Sequence, residues 1–203
     1  VSGIEAVVFD VGNVLFHWNP RHLYERLIED RDRLDWFLAN VVTLDWHFQL
    51  DAGRSFAECA EELTALFPDE RPLIEAWLHR FNETLEHPVS GMAELVEQLH
   101  ARQVPLYAIT NFSADLWPLF RNTQPVFDRF RDIVVSGVER MVKPDAAIYH
   151  LAARRFGIAP GTALFIDDRE DNVAGAIAAG FHGHHFVDAA RLHADLTARG
   201  VIG

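Results

Sequence analysis

The chain has 203 residues, with 18 basic side chains against 30 acidic ones and a formal net charge of −12. That length suggests one domain of ordinary size, or one domain carrying an insert, and 49% apolar with 24% charged residues exclude a disordered or fibrous chain. The acidic balance argues against a nucleic-acid or anionic-membrane surface, the lone Cys59 excludes an internal disulfide, and no apolar run approaches the ~20 residues of a bilayer span. The expectation is a soluble protein of a reducing compartment, cytoplasmic, because the first strand pattern starts within a few residues of the N-terminus and leaves no room for a signal peptide.

In chain order, Ile4–Phe9 reads as a strand buried on both faces. From about Pro20 to Leu85 only helical periodicity is present, with candidate helices His22–Asp30, Asp32–Val42, Phe56–Phe67 and Leu73–Leu85. Ser55 followed by Glu58 predicts a capping box at the third of these, and Pro68 and Pro72 separate the last two. After Pro88 the alternation of helix and strand begins. Met92, Leu95, Val96 and Leu99 form an apolar stripe before a strand at Val104–Ile109, and Asp132–Val135 predicts the next strand. A second stripe, Ile148, Leu151, Ala152 and Phe156, leads into Ala163–Ile166, and a third, Val173, Ala176 and Ile177, into a strand at His184–Val187. Strands alternating with helices of this length imply right-handed crossovers and a parallel sheet covered on both faces. The expected fold is therefore α/β: a three-layer α/β/α core from residues 1–16 and 86–203, with an α-helical cap inserted at residues 17–85. Phe16–Asn19 and Glu86–Pro88 are the hinge candidates.

Ligands of an open parallel sheet bind beyond the carboxyl ends of its strands, so the polar residues that follow each strand are the candidates. Strand one runs into Asp10-Val11-Gly12-Asn13-Val14, and the second into Thr110-Asn111. The third leads to Lys143-Pro144-Asp145, and the fourth into Asp167-Asp168 with Asn172 close behind. Singly, each is an ordinary turn or cap residue. Together they gather carboxylates, a hydroxyl, an amide and an ammonium on one sheet edge. Asp167 and Asp168 repel one another unless a cation or proton lies between them, and Mg²⁺ takes one or two carboxylates with backbone oxygen, water and a substrate phosphate.

These four motifs, in this order, resemble those of the haloacid dehalogenase superfamily, in the branch with a helical cap inserted after the first motif. The resemblance covers essentially the whole chain, including the cap segment Asp51-Ala52-Gly53-Arg54-Ser55-Phe56. It implies a Rossmannoid core and a phosphatase in which Asp10 is the nucleophile and forms an aspartyl-phosphate. Lys143 would neutralise phosphate charge and hold Asp10, while Thr110 and the backbone N–H of Asn111 would bind phosphate oxygens. Mg²⁺ would be held by Asp10, the carbonyl of Gly12 and Asp168, with Asp167 as a further or water-mediated ligand. The implied partner is a small phosphoester, not a nucleic acid or a membrane.

Gly12 departs from the pattern. Most phosphatases of the superfamily carry an Asp there as general acid and base, a role typically worth roughly 10²–10⁴-fold. Either the leaving group departs unprotonated, or another residue serves (His17 is the nearest in sequence), or the reaction is not phosphate release. The Asp-x-Gly-Asn start resembles bacterial sugar-1-phosphate phosphatases, which makes a sugar phosphate the first expectation. A hydrolytic dehalogenase suits Gly12 but not the Asp167-Asp168 pair. A regulatory protein that lost turnover has no reason to keep Asp10, Thr110, Lys143 and Asp168. Of the remaining features, Trp18, Trp46 and His47 lie near the predicted cap face, where packing competes with sugar stacking. Arg21 and Arg54 read as surface cations, Glu58, Glu61 and Glu62 as a solvated helix face, and His182–His185 as strand and turn histidines.

Overall fold

The computed structural model of the chain describes residues 3–85 and 87–203. Its opening elements are β1 (Ala6–Phe9) and β2 (Phe16–His17), then five helices: α1 (Pro20–Tyr24), α2 (Arg31–Asn40), α3 (Leu44–Asp51), α4 (Phe56–Leu66) and α5 (Arg71–Arg80). The chain returns through β3 (His87–Pro88), α6 (Met92–Ala101), β4 (Leu106–Thr110), α7 (Trp117–Arg121), β5 (Asp132–Val135) and α8 (Ser136–Glu139). It ends with α9 (Ala146–Phe156), β6 (Ala163–Asp167), α10 (Glu170–Ala178), β7 (His182–His185) and α11 (Ala189–Ala198).

Five strands form one parallel sheet in the order β5-β4-β1-β6-β7. β1, β4 and β6 are buried along their whole length, which is why they read as unbroken apolar runs. Side chains alternate across the sheet. Val7 and Phe9 enter a core with α6, α11 and the helices between β2 and β3, whereas Ala6 and Val8 pack under α9 and α10 against Ile148, Tyr149, Ala152 and Ala176. The result is the expected three-layer α/β architecture. From β1 the chain builds outward to β4 and β5, then crosses back to β6 and β7. The carboxyl end of β1 is thus the point where strand order reverses, and there a crevice opens.

Three expectations need correction. The last strand is His182–His185, not His184–Val187, because its pairing with β6 sets the register, Leu164 opposite His182 and Asp167 opposite His185. The helix expected at His22–Asp30 stops at Tyr24, since Asp30 instead caps α2 by accepting the Arg33 N–H at 2.7 Å. And α3 was not expected: Thr43 caps it through the Trp46 N–H at 3.1 Å. The capping box of Ser55 and Glu58 at α4 is present as predicted. The fourth expected helix begins at Arg71, with Pro72 in the first turn where its missing N–H costs nothing, and tightens into a 3-10 turn at Phe81–Leu85.

β2 and β3 pair antiparallel, Phe16 opposite Pro88 and His17 opposite His87, so the chain leaves and re-enters the core side by side. These residues fall at the two expected hinges; Glu86 lies outside the described residues. Among the described residues no helix is long and apolar enough to cross a membrane.

Candidate active site

Asp10 follows β1 directly, in a tight turn closed by hydrogen bonds from Leu15 and Phe16 N–H to the Val11 carbonyl. Asn13 adopts the left-handed conformation at φ 55°, which Asn tolerates better than most residues, and its Oδ1 accepts the Trp18 N–H at 3.0 Å. Gly12 is not in that left-handed region, and a Cβ there would meet only Trp18 Cβ at 3.9 Å. The position has space for a side chain that this sequence does not supply.

Lys143 is 2% exposed and reaches both carboxylates, with Nζ 2.8 Å from Asp10 Oδ1 and 2.6 Å from Asp167 Oδ2. Burial opposes its charge, but the two carboxylates outweigh burial and hold the ammonium above its ordinary pKa. Asn111 clamps the backbone of Lys143, donating from Nδ2 to its carbonyl at 3.1 Å and accepting its N–H on Oδ1 at 2.9 Å. That use of the Asn111 side chain has no signature in sequence. Asp167 is fully engaged: besides Lys143 it accepts the Arg169 N–H at 2.9 Å and Asn172 Nδ2 at 3.0 and 3.1 Å.

Asp10, Asp167 and Asp168 each place an oxygen within 4.8 Å of the others. One ammonium does not balance three carboxylates. Burial, followed by the charge of Asp167, raises Asp168 above the usual carboxylate range. Burial likewise lifts Asp10 to about 7 against the pull of Lys143. On Asp10, Oδ1 takes the Val11 N–H at 2.7 Å as well as Lys143, and Oδ2 takes no hydrogen bond among the described residues. An all-oxygen cluster with surplus negative charge suits a hard divalent cation such as Mg²⁺.

A cavity of about 450 Å³ opens above these groups. Its lining joins Asp10, Gly12, Asn111, Lys143, Asp168 and Arg169 to Trp18, Leu44, His47, Phe48, Asp51, Phe81, Leu85 and Phe112. Thr110 is buried at the end of β4 and does not line it, although its neighbour Asn111 does. His17 is exposed in β2, away from the cavity. Trp46 is buried and donates from Nε1 to the Cys59 carbonyl at 3.1 Å. Arg21 pairs with Asp35, and Arg54 with Gln49 and Glu62. The β7 histidines are tied locally: His182 to the Gly161 carbonyl, His184 to Asp195 and His185 to the Asp168 carbonyl. Sequence reasoning missed Asp51 as a wall residue. It reached His47 and Trp18 only as aromatic residues near a cap.

A family model of haloacid dehalogenase-like hydrolases matches residues 4–180. The sesquiterpene phosphatase astK of Aspergillus oryzae is 27% identical over 185 residues, covering 91% of this chain and 90% of its own. Among solved structures, a predicted HAD-like family hydrolase of Porphyromonas gingivalis superposes with a TM-score of 0.74 at 22% identity, covering 96% of this chain and 97% of that one. A HAD family enzyme of Bacteroides thetaiotaomicron, solved with magnesium and inorganic phosphate, gives 0.70 at 22% identity over 94% of this chain and 99% of that one. At such identity the two structures speak for the fold alone. The match across 4–180 takes in the sheet edge carrying Asp10, Lys143 and Asp168, and by it the chain belongs to the haloacid dehalogenase-like hydrolases.

Proposed function

We propose that the chain is a Mg²⁺-dependent phosphatase that moves the phosphoryl group of a small phosphomonoester onto Asp10 and then onto water. The observation that carries this is the buried ammonium of Lys143 between Asp10 and Asp167, beside a third carboxylate. Lys143 fixes Oδ1 of Asp10 and leaves Oδ2 to attack phosphorus. Mg²⁺ would be held by Asp10, Asp168 and the Gly12 carbonyl, with Asp167 further out because its oxygens are engaged. When bound, the metal supplies positive charge against the repulsion between a carboxylate nucleophile and a phosphate dianion. The Asn111 N–H, at the end of β4, is the proposed donor to phosphate oxygens, while Thr110, buried outside the cavity lining, would have to turn its hydroxyl toward the site to join it. The helices at residues 17–85 act as the cap over the site, entered and left through the β2–β3 pair.

The apolar part of the cavity lining favours an apolar alcohol over the sugar phosphate that the Asp-x-Gly-Asn start suggests. Trp18, Leu44, Phe48, Phe81, Leu85 and Phe112 form it. The nearby amides of Asn13, Asn111 and Asn172 are spent on holding the site together. The relative from Aspergillus oryzae is a sesquiterpene phosphatase, and a sesquiterpene is an apolar skeleton. Haloacid dehalogenation is disfavoured by the acidic cluster, which repels a carboxylate substrate.

The test is phosphate release from isoprenyl, alkyl and sugar phosphates with Mg²⁺, with halide release from a 2-haloacid measured alongside. Hydrolysis that stops on chelation and falls about 10³-fold or more in Asp10→Asn is expected, fastest on the apolar esters. Halide release without phosphate release would assign the site to the rival chemistry.

A further inference from the structure

With no carboxyl at position 12 and His17 outside the cavity, the proton for the departing oxygen has no obvious source. Two polar side chains on the wall are unused by anything described so far. His47 and Asp51 lie one turn apart on α3, 8% and 6% exposed, with His47 Nε2 3.5 Å from Asp51 Oδ2. His47 Nδ1 and Asp51 Oδ1 are buried without a hydrogen-bond partner among the described residues. Leaving such atoms unpaired costs about 1–3 kcal/mol each, and native proteins rarely tolerate this without a reason in function. Asp51 also stands apart from the mutually close Asp10, Asp167 and Asp168.

We infer that Asp51 is the acid–base residue of this site, serving the leaving oxygen from α3 in the cavity lining in place of the side chain absent at Gly12. The inference rests on the phosphatase reading. Its geometric basis is that α3 is anchored to the sheet edge at this end. Ser136 Oγ, just after β5, donates to the Asp51 carbonyl at 2.6 Å and accepts the Phe112 N–H at 2.9 Å. Gly53 packs so closely on the Gly137 carbonyl that a Cβ would lie 3.0 Å from it. Asp51 is thereby held on the same edge as Asp10 and Lys143. Burial, with the charge of Asp10 added, raises its carboxyl well above the ordinary range, against the pull of Lys143 and the Ser113 N–H. Burial holds its other neighbour, His47, down at about 3, hence neutral. A carboxyl held above its ordinary range beside a neutral imidazole is the arrangement a proton donor needs.

The steps balance. As Asp10 bonds to phosphorus, the P–O ester bond breaks with its electron pair on the leaving oxygen, and the Asp51 proton passes to that oxygen to release the alcohol. Asp51, now a carboxylate, takes a proton from water as the water oxygen bonds to phosphorus and the bond to Asp10 breaks. Phosphate leaves, and both carboxyl groups return to their starting states.

The experiment compares an activated aryl phosphate with an alkyl phosphate, in the presence of Mg²⁺. In the wild type, kcat/KM is expected to vary little with the leaving group, because protonation offsets its basicity. In Asp51→Asn the alkyl ester should lose about 10²–10⁴-fold and the aryl ester less than about 10-fold. Adding Gly12→Asp, for which there is space, should recover part of the alkyl activity. Asp51→Glu should retain the flat profile if Asp51→Asn does not fold. Equal losses on both esters, or a steep wild-type profile, would overturn the assignment of Asp51. A wild type that hydrolyses neither ester would instead overturn the phosphatase reading.

Discussion

Lys143 ties together two carboxylates from neighbouring strands, whereas Arg169, the other cation lining the cavity, is paired with Asp171. Replacing it with Met keeps the apolar stem but leaves Asp10 and Asp167 buried without their cation. Removing one partner from a buried ion pair typically costs about 3–5 kcal/mol, so denaturant melts of Lys143→Met should show a loss of that order at pH 8. The pH dependence has a definite sign. Burial already raises Asp10 to about 7 with Lys143 present, and without it the value goes higher. A carboxyl raised on folding favours the folded state below its unfolded pKa and loses that advantage as pH rises through the folded value. The deficit of Lys143→Met against wild type should therefore narrow between pH 8 and pH 5; a constant deficit would show that Asp10 is not the group left stranded. Asp10, Asn111, Lys143 and Asp168, expected together because parallel topology carries strand ends to one edge, all line one cavity. The side-chain work of Asn111, and the entry of Asp51, depend on rotamers and on a helix docking against the sheet, which no spacing rule encodes.

The helix that brings Asp51 to the cavity also explains its own absence from the sequence reading. In α3, Leu44 and Phe48 are 64% and 47% exposed, whereas His47 and Asp51 are buried. An amphipathic pattern is recognised by apolar residues facing inward and polar ones outward, and here His47 and Asp51 share the buried face with Trp46 and Leu50 while two apolar residues stay exposed beside the cavity. The strands behave in the opposite way. β1, β4 and β6 were legible because both faces are buried, whereas the edge strand β7, HGHH, carries no apolar signal and only pairing fixes its limits. α8, whose Ser136 holds the end of α3, fits tightly against the segment after β4. A Cβ on Gly137 would sit 2.5 Å from the Ala114 nitrogen and 2.7 Å from the Phe112 carbonyl, and both are backbone atoms that cannot rotate away. Gly137→Ala should cost about 1–3 kcal/mol through overpacking. It should also disturb neighbouring Ser136, which holds the Asp51 carbonyl. The expected result is a lower melting temperature together with a drop in kcat/KM that is larger for alkyl than for aryl esters. A change in stability that left both rates untouched would mean that α3 does not depend on this contact.

At the scale of the molecule, the inserted helices and the sheet share one apolar core. Val7 and Phe9 of the central strand belong to the same cluster as Tyr24, Phe37, Leu50 and Trp77 of the insert. A path of ring contacts links the two sides. From Phe9 it passes to Phe130 at 5.9 Å and on through Phe127, Phe120 and Phe112. Phe112 meets Phe81 at 5.4 Å, Phe81 meets Trp77 at 5.4 Å, and Trp77 meets Trp46 at 6.0 Å. An insert stable on its own would melt separately, but one whose core continues into the sheet loses its packing when the sheet unfolds. Two probes distinguish these cases, because four of the five tryptophans, Trp18, Trp36, Trp46 and Trp77, lie in the insert and weight the fluorescence toward it, while far-UV circular dichroism weighs the whole chain. In the wild type the two unfolding curves should coincide. Phe81 stands at the junction, so Phe81→Ala should cost about 3–5 kcal/mol and should pull the curves apart, the fluorescence change coming first as the insert detaches. Coincident curves in the variant would place the coupling in other contacts, such as the Phe56 N–H to Asp115 bond at 2.7 Å. Separated curves in the wild type would mean that the shared core does not make the two parts fold as one.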